Sequence, residues 1–213
     1  MGIHERKERE RLQRRNDIID AAERLFFEHG FDRVSIDQIA EAAELAKGTI
    51  YLYFKSREDL HYAIVNRGLD AMAKVITERD DPSRSGAENL LEMGRSYIRF
   101  TKMYPGYNRA LMVFDASKFE KVDQKESLKI LDPGSPLRHL IDVVTKGQED
   151  GSIRKDISPA VLGILMWANL SSVLEFVTLR KPVMEKLALQ EEELLSTQFE
   201  VALHGILSNT RNL

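Results

Sequence analysis

The chain has 213 residues, 43% hydrophobic and 31% charged, which is enough apolar content for a buried core and too even a mixture for a disordered chain. It contains no cysteine, so disulfides, thiolate nucleophiles and cysteine-ligated zinc are excluded, and a reducing compartment fits. The net charge of −3 weighs mildly against nucleic acid as a partner, and no uninterrupted apolar run reaches the ~18–20 residues needed to span a bilayer.

The chain opens on charge. Residues 5–15, ERKERERLQRR, carry six cations (Arg6, Lys7, Arg9, Arg11, Arg14, Arg15) against three glutamates, a local +3. The simplest reading is a solvated helix start with internal Glu–Arg pairs; a phosphate-binding arm is the alternative. No apolar stretch of signal-peptide type follows, so a soluble, cytoplasmic protein with no membrane partner is expected. Ile18, Ile19, Ala22, Leu25 and Phe26 then fall on one helical face, closed by Gly30. Ser35 and Gln38 read as a capping box for a short helix through Ile39, Ala40 and Ala43. Residues 44–46 break it, and a third short helix is predicted from about Lys47 to Tyr53. Ser56 caps a longer helix with Leu60, Ile64, Val65, Leu69, Met72 and Ile76 at helical spacing.

Residues 78–86 read as a loop. Ser85 starts the next helix, which ends near Tyr104-Pro105-Gly106. Residues 107–131 look helical but interrupted, and Asp132-Pro-Gly134 is a turn. Ser135-Pro136 and Ser158-Pro159 each place an N-cap before a proline, predicting helices closed by Gly151 and ending near Leu179. Lys181-Pro182 is expected to end the second of these. Leu195, Phe199, Ala202, Leu203 and Ile206 define a last helical face. The fold class is therefore all-α, with roughly nine or ten helices and no confident strand.

Two short helices separated by a break, the second with exposed polar side chains, form a helix-turn-helix arrangement. The first helix props the second, and the second lies in the major groove, which is wide enough for one α-helix. Ile36, Ile39, Ala40, Ala43, Leu45, Ile50 and Phe54 are the predicted small core. The outward residues carry the chemistry. Gly48 allows close approach and its helix start favours phosphate. Thr49 and Tyr53 lie four apart on one face with Tyr51 beside them, offering hydroxyls, and Lys47 and Lys55 bracket the helix as cations. Taken singly, each tyrosine reads equally well as half-buried core.

The stretch IIDAAERLFFEHGFDRVSIDQIAEAAELAKGTIYLYFKSREDL resembles the DNA-binding domain of TetR-family transcriptional regulators. The shared features are AA-x-x-LF…HGF, S-I-x-x-IA-x-x-A and KGTIY-x-YF-x-S-x-E-x-L, over about residues 18–60. The resemblance implies an N-terminal three-helix DNA-binding domain and a divergent C-terminal body that binds an effector and dimerises. It implies a homodimer on double-stranded DNA, and repression relieved by a small molecule. It makes Lys47, Gly48, Thr49, Tyr51, Tyr53 and Lys55 the expected DNA contacts, with Ser35 a further phosphate-contact candidate. Glu44 stands where the family commonly has glycine, and Ala46 where it often has a capping serine. The expected division is residues 1–56 for DNA binding and 57–213 for the effector and the dimer.

In that body the last two long helices are the dimer interface implied by the family. The helix over 159–179 is apolar on most sides, as one buried on several faces is. Aromatic and methionine residues collect over 93–119: Met93, Tyr97, Phe100, Met103, Tyr104, Tyr107, Met112, Phe114 and Phe119. With Trp167 and Phe176 they form either a pocket for a largely apolar effector or ordinary core. Tyr97, Phe100, Met103, Tyr107, Met112, Phe114, Trp167 and Glu175 are the candidate effector residues. Arg99, Asn169 and Glu175 are polar groups in apolar surroundings, and Trp167, Ser171, Glu175 and Thr178 share a helical face. The helix starting at Arg57 is the expected lever between the two parts. No cofactor, metal or catalytic residue is expected. His4, His29, His61, His139 and His204 are far apart, and no HExxH, GxSxG, Walker loop or GxGxxG occurs, so an enzyme is the weaker class. A helical adaptor that uses residues 36–55 against another protein is the third.

Overall fold

The structure is a computed structural model that describes residues 2–114 and 132–207. Among the described residues there are ten α-helices, one 3₁₀ turn and no strand. The helices are α1 (Ile3–His29), α2 (Ile36–Ala42), α3 (Lys47–Tyr51), α4 (Arg57–Thr77), α5 (Gly86–Met103), α6 (Pro105–Met112), α7 (Pro136–Glu149), α8 (Pro159–Leu179), α9 (Lys181–Lys186) and α10 (Glu191–Ile206). Phe119 and the rest of the stretch read as interrupted helix after α6 lie outside the described residues. Two compact units result. One holds residues 2–68 and 104–114, the other 69–103 and 132–207, so α4 gives its first half to one and its second half to the other.

In the first unit most of the apolar face of α1 is sequestered: Ile18, Ile19 and Ala22 have at most 1% of their surface exposed, and Leu25 is half-buried. It packs on α2 and on α6, and α2 packs on α3. Val34, Ile39, Ile50 and Phe54 complete that core. Gly30 closes α1 at φ 85°, a left-handed value that glycine takes without steric cost. Arg57, at the start of α4, pins the 3₁₀ turn: its guanidinium donates to the Asp32 and Val34 carbonyls at 3.2 and 3.4 Å and lies 4.6 Å from the Phe31 ring centre. Further along, Arg67 donates to Asp20 and Glu23 of α1 at 2.6 and 3.2 Å.

In the second unit α5, α7, α8 and α10 pack as a bundle of long helices, α7 against both α5 and α8, and α10 against both α8 and α5. The starts of α5, α7 and α8 carry the serines expected of them. Ser85 and Glu88 cap α5 reciprocally at 2.8 and 3.3 Å, and the Ser135 and Ser158 hydroxyls accept amides at the starts of α7 and α8. The amides of Gly86 and Ala87, which have no partner within their helix, donate to Asp150 Oδ2 and Ser152 Oγ at 2.7 and 3.1 Å. Here α5 meets α7 backbone to backbone: a Cβ on Gly86 would stand 2.1 Å from the Gly147 nitrogen.

Lys181-Pro182 does end α8, but the chain then resumes helix as α9 with the proline in its first turn. A proline nitrogen needs no partner there and its fixed φ suits a helix start, so the same residue that stops one helix opens the next. The apolar character of α8 also has a different explanation from burial on several sides. Leu162, Leu170, Leu174 and Val177 are buried, while Val161, Ile164, Leu165, Phe176 and Leu179 are each at least 41% exposed. By length and composition α8 matches a membrane span, although Asn169, Ser172 and Glu175 lie on its open side.

Candidate nucleic-acid interface and ligand cavity

The turn between α2 and α3 is built on backbone geometry that its sequence does not favour. Glu44 sits at φ 55°, the left-handed region, at a cost of about 1–2 kcal/mol for a residue with a Cβ. Its neighbours hold it there. The Glu44 amide reaches the Glu41 carbonyl at 3.0 Å and the Leu45 amide the Ala40 carbonyl at 2.9 Å. Ala46 caps α3 without a side-chain bond, so only Thr49 N to Ala46 O, 2.8 Å, closes that end.

On this frame α3 buries Ile50 and, just past its end, Phe54, and turns its other residues outward. Lys47, Gly48 and Tyr51 are exposed, and Thr49 and Tyr53 half-buried. No protein atom lies within 4 Å of where a Gly48 Cβ would stand. The helix proper stops at Tyr51, and Leu52 and Tyr53 follow in a tightened turn with amides on Thr49 and Ile50 at 3.2 and 3.0 Å. Leu52 was not among the expected contacts. At 79% exposure it is the most open large apolar side chain in the chain's described residues, and its place between two tyrosines on the outward turn was the available signal. Lys55 is exposed, its amide anchored on Asp59 Oδ2 at 2.7 Å. Ser35 is exposed at the start of α2, its hydroxyl engaged with Gln38 in the expected capping box. Lys47 has a partner that sequence spacing did not suggest. Its ammonium lies 2.9 Å from both oxygens of Asp37, and this bond raises its pKa further.

The second unit holds a cavity of about 70 Å³ between α4, α5, α7, α8 and α10. Its wall is apolar almost throughout: Met72, Leu90, Met93, Leu140, Met166 and Phe199 are representative, and Gln198 and Tyr97 supply polar atoms. Burial raises the Tyr97 phenol, whose oxygen lies 3.4 Å from Ser171 Oγ. Of the candidate effector residues, Tyr97 and Trp167 line this cavity. Phe100 is fully buried nearby in sequence but not in the wall, and Met103 and Glu175 are exposed. Tyr107, Met112 and Phe114 belong to the first unit. There the Tyr107 hydroxyl donates to Glu23 at 3.0 Å, and burial together with that carboxylate pushes the phenol up to about 12. Arg99 is occupied by the Val75 carbonyl and Glu78, and Asn169 bonds its own helix at Leu165.

A small helix presented on a buried scaffold, bearing amines, hydroxyls and an open glycine, defines a helix-turn-helix regulator, the class that reads duplex DNA. Residues 18–64 match the family model described as bacterial regulatory proteins, tetR family. The chain is 26% identical to the HTH-type transcriptional repressor AcnR of Corynebacterium glutamicum over 149 residues, 70% of this chain and 73% of that one. It is 26% identical to the fatty acid metabolism regulator protein of Bacillus subtilis over 140 residues, 66% and 71% of the two chains. In fold it is similar to the fatty acid degradation regulator FadR from Bacillus halodurans, with a TM-score of 0.63 and 21% identity over 89% of this chain and 98% of that one. It is also similar to a tetR-family regulator from Shewanella sp. PV-4, TM-score 0.64 and 16% identity over 91% and 98%. Residues 18–64 thus carry the DNA-binding region of the tetR family of bacterial regulatory proteins, and the proteins that the longer chain resembles are transcriptional regulators.

Proposed function

We propose that the protein is a cytoplasmic homodimeric repressor whose paired α3 helices read a pseudo-palindromic operator, and that a small, largely apolar effector releases it. The observation that carries this reading is the outward face of α3 on its buried scaffold of Ile39, Ile50 and Phe54. Lys47, Gly48, Thr49, Tyr51, Tyr53 and Lys55 make the contacts in this reading, with Ser35 on a flanking phosphate and Leu52 as an added apolar contact of the kind that recognises a thymine methyl. Functionally, residues 1–56 bind DNA, and residues 57–213 bind the effector and the second copy. The open side of α8 supports the dimer. Val161, Ile164 and Leu165 near its start and Phe176 and Leu179 near its end are exposed apolar groups, and Val201 of α10 is 66% exposed. The apolar cavity supports the effector, and α4, common to both units, supports a lever that changes the spacing of the recognition helices.

The test is a salt titration of operator binding with variants. Binding to a duplex selected by the protein from a random pool should weaken steeply with salt. Tyr53→Phe and Lys55→Ala should each lower affinity about three- to tenfold with the thermal transition unchanged. Unchanged affinity in both variants sinks the assignment of α3.

Asp37 makes a prediction of opposite sign. In the free protein it holds Lys47 on an exposed ion pair that a phosphate must displace, and it adds a negative charge to a surface facing DNA. Asp37→Asn is therefore expected to tighten duplex binding about three- to tenfold, read by fluorescence anisotropy at fixed salt. A weaker complex would mean that Lys47 does not meet a phosphate.

A further inference from the structure

The basic stretch at the start of the chain is helical. α1 begins at Ile3, yet its first buried described residue is Ile18, so about four turns stand clear of the core. Part of the internal pairing expected there is present: Arg6 meets Glu10 at 3.0 Å and Gln13 meets Asp17 at 2.8 Å. Lys7, Arg11, Arg14 and Arg15 follow the spacing i, i+4, i+7, i+8 and so form a separate stripe, which continues at i+11 into Ile18, fully buried in the core. Among the described residues no carboxylate stands within ion-pair distance of Lys7, Arg11 or Arg14, although Glu8 borders the stripe. The stripe also has a fixed position relative to the recognition helix. The Arg15 guanidinium lies 5.1 Å from the centre of the Phe54 ring, between Tyr53 and Lys55 in sequence. From Arg15 back to Lys7 the helix carries its cations about 12 Å further in that direction.

We propose that this stripe is a second DNA site, a rigid cationic rail that takes the phosphates flanking the segment read by α3. The proposal rests on the DNA-binding reading of α3 and adds to it. Charge complementarity and continuity with the recognition helix select the occupant: a row of cations on a preformed helix, starting beside the residues that end α3, meets the next stretch of the same polyanion. Such contacts carry no sequence information, so the rail raises affinity without altering the site selected.

The experiment compares the full-length protein with Lys7→Ala/Arg11→Ala/Arg14→Ala on a selected duplex, long or trimmed to the selected site. The triple variant should keep its helix content and its selected sequence. It should lose about tenfold or more in affinity on the long duplex, and its plot of log affinity against log salt should flatten by up to about 0.9 for each cation lost. On the trimmed duplex the two proteins should bind alike. An unchanged slope overturns the proposal, and so does an equal loss per cation from Arg6→Ala/Arg9→Ala, since that would be a general charge effect. Retention on anionic phospholipid vesicles that depends on the three cations, with DNA binding unaltered, would assign the stripe to a membrane surface and overturn it as well. Wild-type protein that bound no duplex would remove the reading of α3 itself, a result distinct from all of these.

Discussion

Gly86→Ala should lower the stability of the protein by about 3 kcal/mol, and its thermal midpoint by roughly 6–12 °C. The added methyl would stand 2.1 and 2.3 Å from the Gly147 nitrogen and Cα and 2.9 Å from the Val143 oxygen. All three are main-chain atoms, so no rotamer change relieves the contact. Helices α5 and α7 must separate, and the bonds from the Gly86 and Ala87 amides to Asp150 and Ser152 stretch with them. Urea or thermal unfolding measures the loss; a change below about 1 kcal/mol would mean that the two backbones are not in contact.

Gly48→Ala should separate folding from function. The methyl meets no protein atom within 4 Å, and alanine is favoured over glycine inside a helix by about 0.5–1 kcal/mol. The variant is expected to be as stable as the parent or slightly more so. Its affinity for DNA should nevertheless fall at least about tenfold, because in the proposed reading the surface left open at Gly48 meets the duplex and a methyl there would hold the two surfaces apart. Equal affinity in both proteins would show that Gly48 is not at the contact.

Much of the helical plan was legible because it is written in local chemistry. Ser35 with Gln38, Ser85 with Glu88, and the Ser-Pro pairs at 135–136 and 158–159 cap their own helices within three residues, and each does so in the structure. Sequence spacing also identified Ile39, Ile50 and Phe54 as the support of α3. What escaped was long-range. The crossing at Gly86 and Gly147 depends on two glycines far apart in the chain. The Asp37–Lys47 pair joins separate helices, and Tyr107 is committed to Glu23, 84 positions away. An aromatic-rich stretch shows that apolar surface must be covered, but not by which neighbour. The described residues of that group accordingly divide between the wall of the cavity, the core, the surface and the first unit. The turn at Glu44 was legible as a problem, and the structure answers it with a left-handed glutamate.

The space among α5, α7, α8 and α10 is about 70 Å³, half the ~150 Å³ void that admits a single benzene ring in an engineered protein. A guest of metabolite size therefore has to prise its room open, by swinging aside thioether chains such as Met93 and Met166 or by wedging the rods apart. Room gained in this way would move the packed helices, whereas a roomier hollow would fill without moving anything.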